Sequence, residues 1–350
     1  MYTAANPVPS YRVSEQSASF FAAASVVRKT GSYPFERAVA VLAQMGLLAG
    51  SLTVGILLTA VLSMYVHKAA GAIVFLVLCL GLAFGLMPYI DRRLWAMRAA
   101  FTYLATKQLV AGQAAPANNA ADGAKRFLEE QFGNLGPVAD AHNEVQRLVG
   151  KFFRTFDKLD ELLPIDLEPL RKALGWLTDR VAPRIADLAL SFAIARGDGN
   201  LDQASKDAIT YVAQNPKPLL GTAIRAYFTE KFLGGTLAFV LMTLGFAVVG
   251  AIVNALAGDA AVSSGIPDEG AAVMGAFAAA FLGLLVGVPL GMLGSWFLRT
   301  AVLEPISLTM LLIRFHTCIQ GQPINPSVRA RVESAKSDLG EAGGMLSFLE

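Results

Sequence analysis

Three side chains inside one apolar run have chemistry that an ion or a water can use: Thr236, Thr243 and Asn254, all between Phe232 and Ala257. Hydroxyl and amide oxygens accept from water and coordinate small cations, so these three are the candidates for the wall of an ion path. The competing reading is that each Thr hydroxyl donates to its own helix carbonyl and that Asn254 sits at the outer interface. The apolar runs cover about residues 38–66, 71–90, 232–257 and 271–298, and none contains Asp, Glu, Lys, Arg or His. A charge in mid-membrane is costly and usually functional. Without one, this chain cannot by itself relay protons through a titrating carboxylate, so a partner would have to bring the acid.

Other chemistry is thin. The three histidines, His67, His142 and His316, are far apart along the chain. There is no Cys-x-x-Cys pair, no phosphate-binding glycine loop before Lys-Ser/Thr and no nucleophile elbow, so no enzyme and no cofactor is expected. Gly-Asp-Gly-Asn at 197–200 lacks the remaining ligands of a calcium loop and reads as a turn. Cys79 and Cys318 read as small apolar packers, not as a disulfide, and no metal site is expected.

The elements that would position these residues are membrane helices. The chain of 350 residues is 54% hydrophobic but only 16% charged, against about 25% charged for an ordinary soluble domain. The deficit is confined to the four runs. Each is long enough to cross a hydrocarbon core of roughly 30 Å as a helix. The link 67–70 is so short that the first two runs must form an antiparallel hairpin, and 258–270 joins the last two. In the fourth run small residues recur every four positions, at Gly275, Ala279, Gly283, Gly287 and Gly291. On a helix that spacing makes a smooth stripe for close backbone packing. Pro289 lies beside it as a candidate kink or hinge.

The expected fold is therefore all-α: a polytopic protein with four transmembrane helices in two hairpins and a helical cytoplasmic domain between them. The expected parts are an N-terminal segment (1–37), hairpin one (38–90), the helical domain (91–230), hairpin two (231–298) and a tail (299–350) lying at or below the membrane surface. No signal peptide is expected, since the first long apolar run begins near Ala38. In the middle domain Val145, Val149, Phe152, Phe156 and Leu159 follow a 4-3-4-3 spacing, a heptad seam. It serves either as a small domain's core or as a contact with neighbouring subunits.

Lys and Arg set the orientation. They cluster before run one (Arg28, Lys29, Arg37), after run two (Arg92, Arg93, Arg98), before run three (Arg225, Lys231) and after run four (Arg299, Arg314), while the opposite loops hold only Lys68. The positive-inside rule then puts both termini and the middle domain on the inner, cytoplasmic side and the two short loops outside. A net charge of +2 gives no reason to expect nucleic acid as a partner.

Some local words carry a resemblance. Phe281-Leu282-Gly283-Leu284-Leu285-Val286-Gly287-Val288-Pro289 is similar to the last-span pattern of the MotA/TolQ/ExbB family, and Gly235-Thr236 to its Gly-Thr near the start of span three. The stretch from Leu311-Leu312-Ile313 through Gln320-Gly321-Gln322-Pro323 to Arg329 resembles the post-membrane helix of the flagellar stator members, and the two-hairpin layout resembles theirs too. The resemblance implies a homo-oligomeric ring, a pentamer, around a single-span MotB- or ExbD-like protein that supplies an intramembrane Asp. It implies ion flow between them and a cytoplasmic machine driven by the ring. One position departs: where TolQ and ExbB carry a Thr in the last span, this chain has Ala280. The alternatives are a non-conducting scaffold of a secretion or conjugation apparatus, and a transporter or channel of another kind.

Overall fold

A computed structural model describes residues 9–334 apart from 10, 16, 66–67, 114, 117, 134–135, 137, 141, 144, 148–182, 198 and 265–267. Among the described residues every regular element is a helix. Four of these helical stretches are long and apolar enough to cross a membrane.

In hairpin one, α1 (Phe20–Arg28) precedes α2 (Tyr33–Tyr65), which pairs with α3 (Lys68–Gly81) and α4 (Met87–Ala111). The two arms keep one antiparallel register along their whole length. The Tyr33 and Phe101 rings lie 5.0 Å apart at one end. Gly55 faces Leu78 in the middle, and Gly71 approaches Ser63 near the far turn.

The second arm departs from α geometry at a π-helical turn, Leu82–Leu86, where the Met87 N–H donates to the Leu82 carbonyl five residues back. Pro88 explains it. Its ring would collide with the Phe84 carbonyl in a regular helix, and it has no N–H to donate. Widening the turn relieves the collision. Hairpin two repeats the device: α9 (Asp268–Phe297) runs into a π-turn, Leu298–Leu303, where the Glu304 N–H donates to the Arg299 carbonyl and Pro305 follows.

The remaining helices are α5 (Ala120–Phe132), α6 (183–196), α7 (Leu201–Gln214), α8 (Pro216–Ser264) and α10 (Glu304–Ile319). The chain divides into two compact units, Met1–Tyr227 with Pro305–Glu350, and Phe228–Glu304. The second unit is hairpin two. The first holds hairpin one and a helical body whose core joins Phe101, Leu104 and Leu109 of α4, Leu188 and Phe192 of α6, Tyr211 of α7, Leu219 of α8 and Leu311 to Phe315 of α10.

The stretch after Leu303, read from the sequence as a tail at or below the membrane surface, continues as a helix of this body. Residues from Pro305 to Ile319 are almost all buried in the body. Leu308, Leu311, Leu312, Ile313, Phe315 and Ile319 supply its apolar surface, and Ser307, Thr309 and His316 are buried with them.

The N-terminal segment is tied down as well. Val13 is buried, the Gly321 N–H donates to the Pro9 carbonyl, and the Ser14 N–H donates to the Leu109 carbonyl. The Ser14 hydroxyl takes the Gln108 carbonyl at 3.0 Å. These are last-turn carbonyls of α4 that have no partner within their own helix. Glu36 caps the other end of the connection: its carboxylate accepts from the Ala120 and Ala121 N–H groups at 2.9 and 3.0 Å, at the start of α5. A carboxylate there also meets the positive end of the helix dipole.

Candidate functional site

Hairpin two carries the residues that the sequence offers for an ion path. Its two helices meet along one seam of four-residue steps. From the charged end upward the seam pairs Glu230 with Arg299, then Gly234 with Ser295, Ala238 with Gly291, Met242 with Gly287, and Phe246 with Gly283. The spacing is that of i, i+4 ridges on both helices, and glycine supplies the groove. A Cβ built on Gly291 would stand 2.6 Å from the Ala238 carbonyl oxygen, and one on Gly287 would stand 2.7 Å from that of Met242. From Gly283 to Gly291 the glycine stripe is thus filled by α8. The helix stays α-helical through Pro289, and the departure from α geometry falls instead at Leu298–Leu303.

Thr236 and Thr243 stand off this seam, on the exposed side of α8. Their hydroxyls donate to the Phe232 and Phe239 carbonyls at 2.9 and 2.8 Å. This bond spends the proton but leaves each oxygen able to accept. Ala280 also faces outward, on α9. Asn254 and Gly275 belong to α8 and α9, and their surroundings lie outside the described residues. Of the heptad positions, Val145 is buried in the core of the body; Val149, Phe152, Phe156 and Leu159 lie outside the described residues.

The acid–base pair Glu230–Arg299 closes the charged end, with N–O at 3.7 Å and the carboxylate nearly fully covered. It lies at the edge of the apolar run, not inside it.

The helical body holds a second set of polar groups that sequence spacing does not bring together. His316 of α10 is fully buried. Its Nδ1 lies 2.5 Å from the Tyr11 hydroxyl and its Nε2 lies 2.8 Å from the Ser191 hydroxyl. Ser191 lies 2.6 Å from Thr106 Oγ1, which donates to the Thr102 carbonyl at 2.6 Å. The last bond fixes the direction of all the others. Thr106 has spent its proton, so Ser191 donates to Thr106. Nε2–H then donates to Ser191, and Tyr11 O–H donates to Nδ1. The imidazole is neutral with its proton on Nε2. Burial holds it far below its ordinary range, at about 3. Ser191 therefore points its proton away from His316, opposite to what a nucleophile activated by that base requires.

Beside it, Arg98 and Asp187 form a buried pair at 2.6 Å. His142 Nδ1 stands 3.7 Å from the same carboxylate, and burial lowers this imidazole too, opposed by Asp187 and reinforced by Arg98. A third cluster joins Asp207 to Arg196 at 2.7 Å and Arg329 at 3.4 Å, with Gln203 donating to both carboxylate oxygens. Burial pushes this carboxyl up by more than Arg329 and Arg196 pull it down. Among the described residues no group of three His, Cys, Asp or Glu side chains could hold a metal ion.

The fold and these groups define a class: an all-helical, multi-pass membrane protein with a packed helical body to which α4, the second arm of hairpin one, contributes. Comparison with protein-family models, with curated proteins and with solved structures finds no match.

Proposed function

We propose that this chain is a ring-forming subunit of an ion-driven, stator-type complex in a bacterial inner membrane, with both termini and the helical body in the cytoplasm. It works with a single-span partner that supplies the ion-binding carboxylate. The observation that carries this reading is the combination of charge-free spans with a second arm of hairpin one, α4, that continues beyond its apolar part into the core of the body. Rigid continuity of that kind suits the transmission of force, and the absence of an intramembrane acid demands a partner for any proton relay. Thr236 and Thr243, seven residues apart on the exposed side of α8, are the groups offered to that partner or to a neighbouring subunit. The heptad positions after Val145, namely Val149, Phe152, Phe156 and Leu159, would add subunit contacts.

A second reading, a non-conducting scaffold, is favoured by Ala280 and by the filled glycine stripe, which leave span four without a hydroxyl on its outer face in mid-span. Counting subunits of the purified protein in lipid nanodiscs by native mass spectrometry separates the two. A closed ring of five with an axial space supports the stator reading, and a monomer or dimer removes it. With the partner present, Thr236→Val and Thr243→Val should each lower ion flux while leaving the ring intact.

A further inference from the structure

We infer that the inner face of α2 holds ordered water at Gln44, at the boundary between the apolar part of hairpin one and the helical body. The buried positions of α2 include Tyr33, Arg37, Val41 and Gln44, spaced by four, four and three residues along one face. Gln44 is 3% exposed, yet neither its amide nitrogen nor its amide oxygen has a hydrogen-bond partner. Leaving both groups dry costs about 1–3 kcal/mol each. The register that pairs Tyr33 with Phe101 brings Gln44 to the level of Ile90, next to the exposed charges Asp91, Arg92 and Arg93. Beyond Gln44, the helix from Met45 to Tyr65 is about 31 Å long, which matches a hydrocarbon core of roughly 30 Å. Gln44 thus stands where that core begins, within reach of solvent from the charged end.

The chemistry selects water. A cation satisfies only the amide oxygen and an anion only the amide nitrogen, whereas water both donates and accepts. A side chain from a neighbouring subunit is excluded, because this chain alone already covers the amide. Other polar atoms of the same helix follow the pattern. Ser51 and Thr53, on other faces, donate to the Leu47 and Ala49 carbonyls, while Thr59 Oγ1 is buried without a partner.

The test uses the full chain in nanodiscs with Cys79 and Cys318 replaced by Ala. Gln44→Cys and Val41→Cys are compared for reaction with a small, charged methanethiosulfonate. Val41 is fully buried on the same face, so the pair separates wet from merely covered. Because the reacting species is the thiolate, which needs water, Gln44→Cys should react about 10-fold or more faster. Equal rates would overturn the proposal. Gln44→Leu gives an independent reading: a melting temperature no higher than the parent's supports a hydrated amide, and a rise means that the amide sits dry.

Discussion

Gly287 of the fourth span lies so close to Met242 of the third that a single added methyl would stand 2.7 Å from the Met242 carbonyl oxygen. A backbone atom cannot rotate away, so the helices themselves must part. We expect Gly287→Ala to destabilise hairpin two by about 1–3 kcal/mol, the ordinary cost of overpacking. Gly235→Ala, on the same hairpin with nothing within 4 Å of the added carbon, should be neutral. Thermal unfolding of both variants in one detergent checks the difference.

Gly31 offers a sharper contrast with Gly112. Both have left-handed backbones, at φ +67° and +63°, which costs a non-glycine residue about 1–2 kcal/mol. At Gly31 a Cβ would also fall 2.2 Å from the Pro116 carbonyl oxygen, whereas at Gly112 it meets nothing. Gly31→Ala should therefore lower the melting temperature well beyond Gly112→Ala. Equal losses would mean that the turn before α2 can open without disturbing the body.

Acid should weaken the helical body through His316, which lies past the apolar run that ends at Leu298. The folded imidazole stays neutral down to about 3, while the unfolded one titrates near 6.5. Its contribution is whole above pH 6.5 and is lost as pH falls from there toward 3, because the unfolded state binds the extra proton. The loss approaches about 1.4 kcal/mol per pH unit in that window. His142 shifts the same way; Asp207, raised by burial, opposes it just above the ordinary carboxylate range. Melting curves between pH 7 and pH 5 should show a steeper decline for the parent than for His316→Gln, whatever the variant's starting stability.

The Arg98–Asp187 pair should behave as a buried ion pair. Replacing Asp187 by Leu alone removes the carboxylate 2.6 Å from the mostly buried Arg98 guanidinium and should cost about 3–5 kcal/mol. Replacing both, Arg98→Met with Asp187→Leu, should recover most of it. A double-mutant cycle on melting free energies measures the coupling.

The four apolar runs, their pairing and the glycine stripe were legible in the sequence because membrane helices are written locally: length, hydropathy and four-residue spacing each act within one element. The hydroxyls of Thr236 and Thr243 were legible as candidates for the same reason. What filled the stripe was not. That Ala238, Met242 and Phe246 meet Gly291, Gly287 and Gly283 depends on the register between two helices, and small apolar residues fit several registers about equally well.

The tertiary structure alone decided the place of the last helix and of the polar groups of the helical body. Leu311, Leu312, Ile313 and Phe315 read from the sequence only as part of a helix that follows the last span. They are core because α4, α6 and α7 enclose them, and burial by distant elements leaves no mark in local spacing. Tyr11, Thr106, Ser191 and His316 meet across 305 positions of the chain. No motif announces such a set, since each member is an ordinary residue until packing removes water and obliges it to find a partner. The sequence by itself determined four helices long and apolar enough to cross a bilayer. Packing decided which polar atoms were satisfied within the chain and which, like those of Gln44, were left for water.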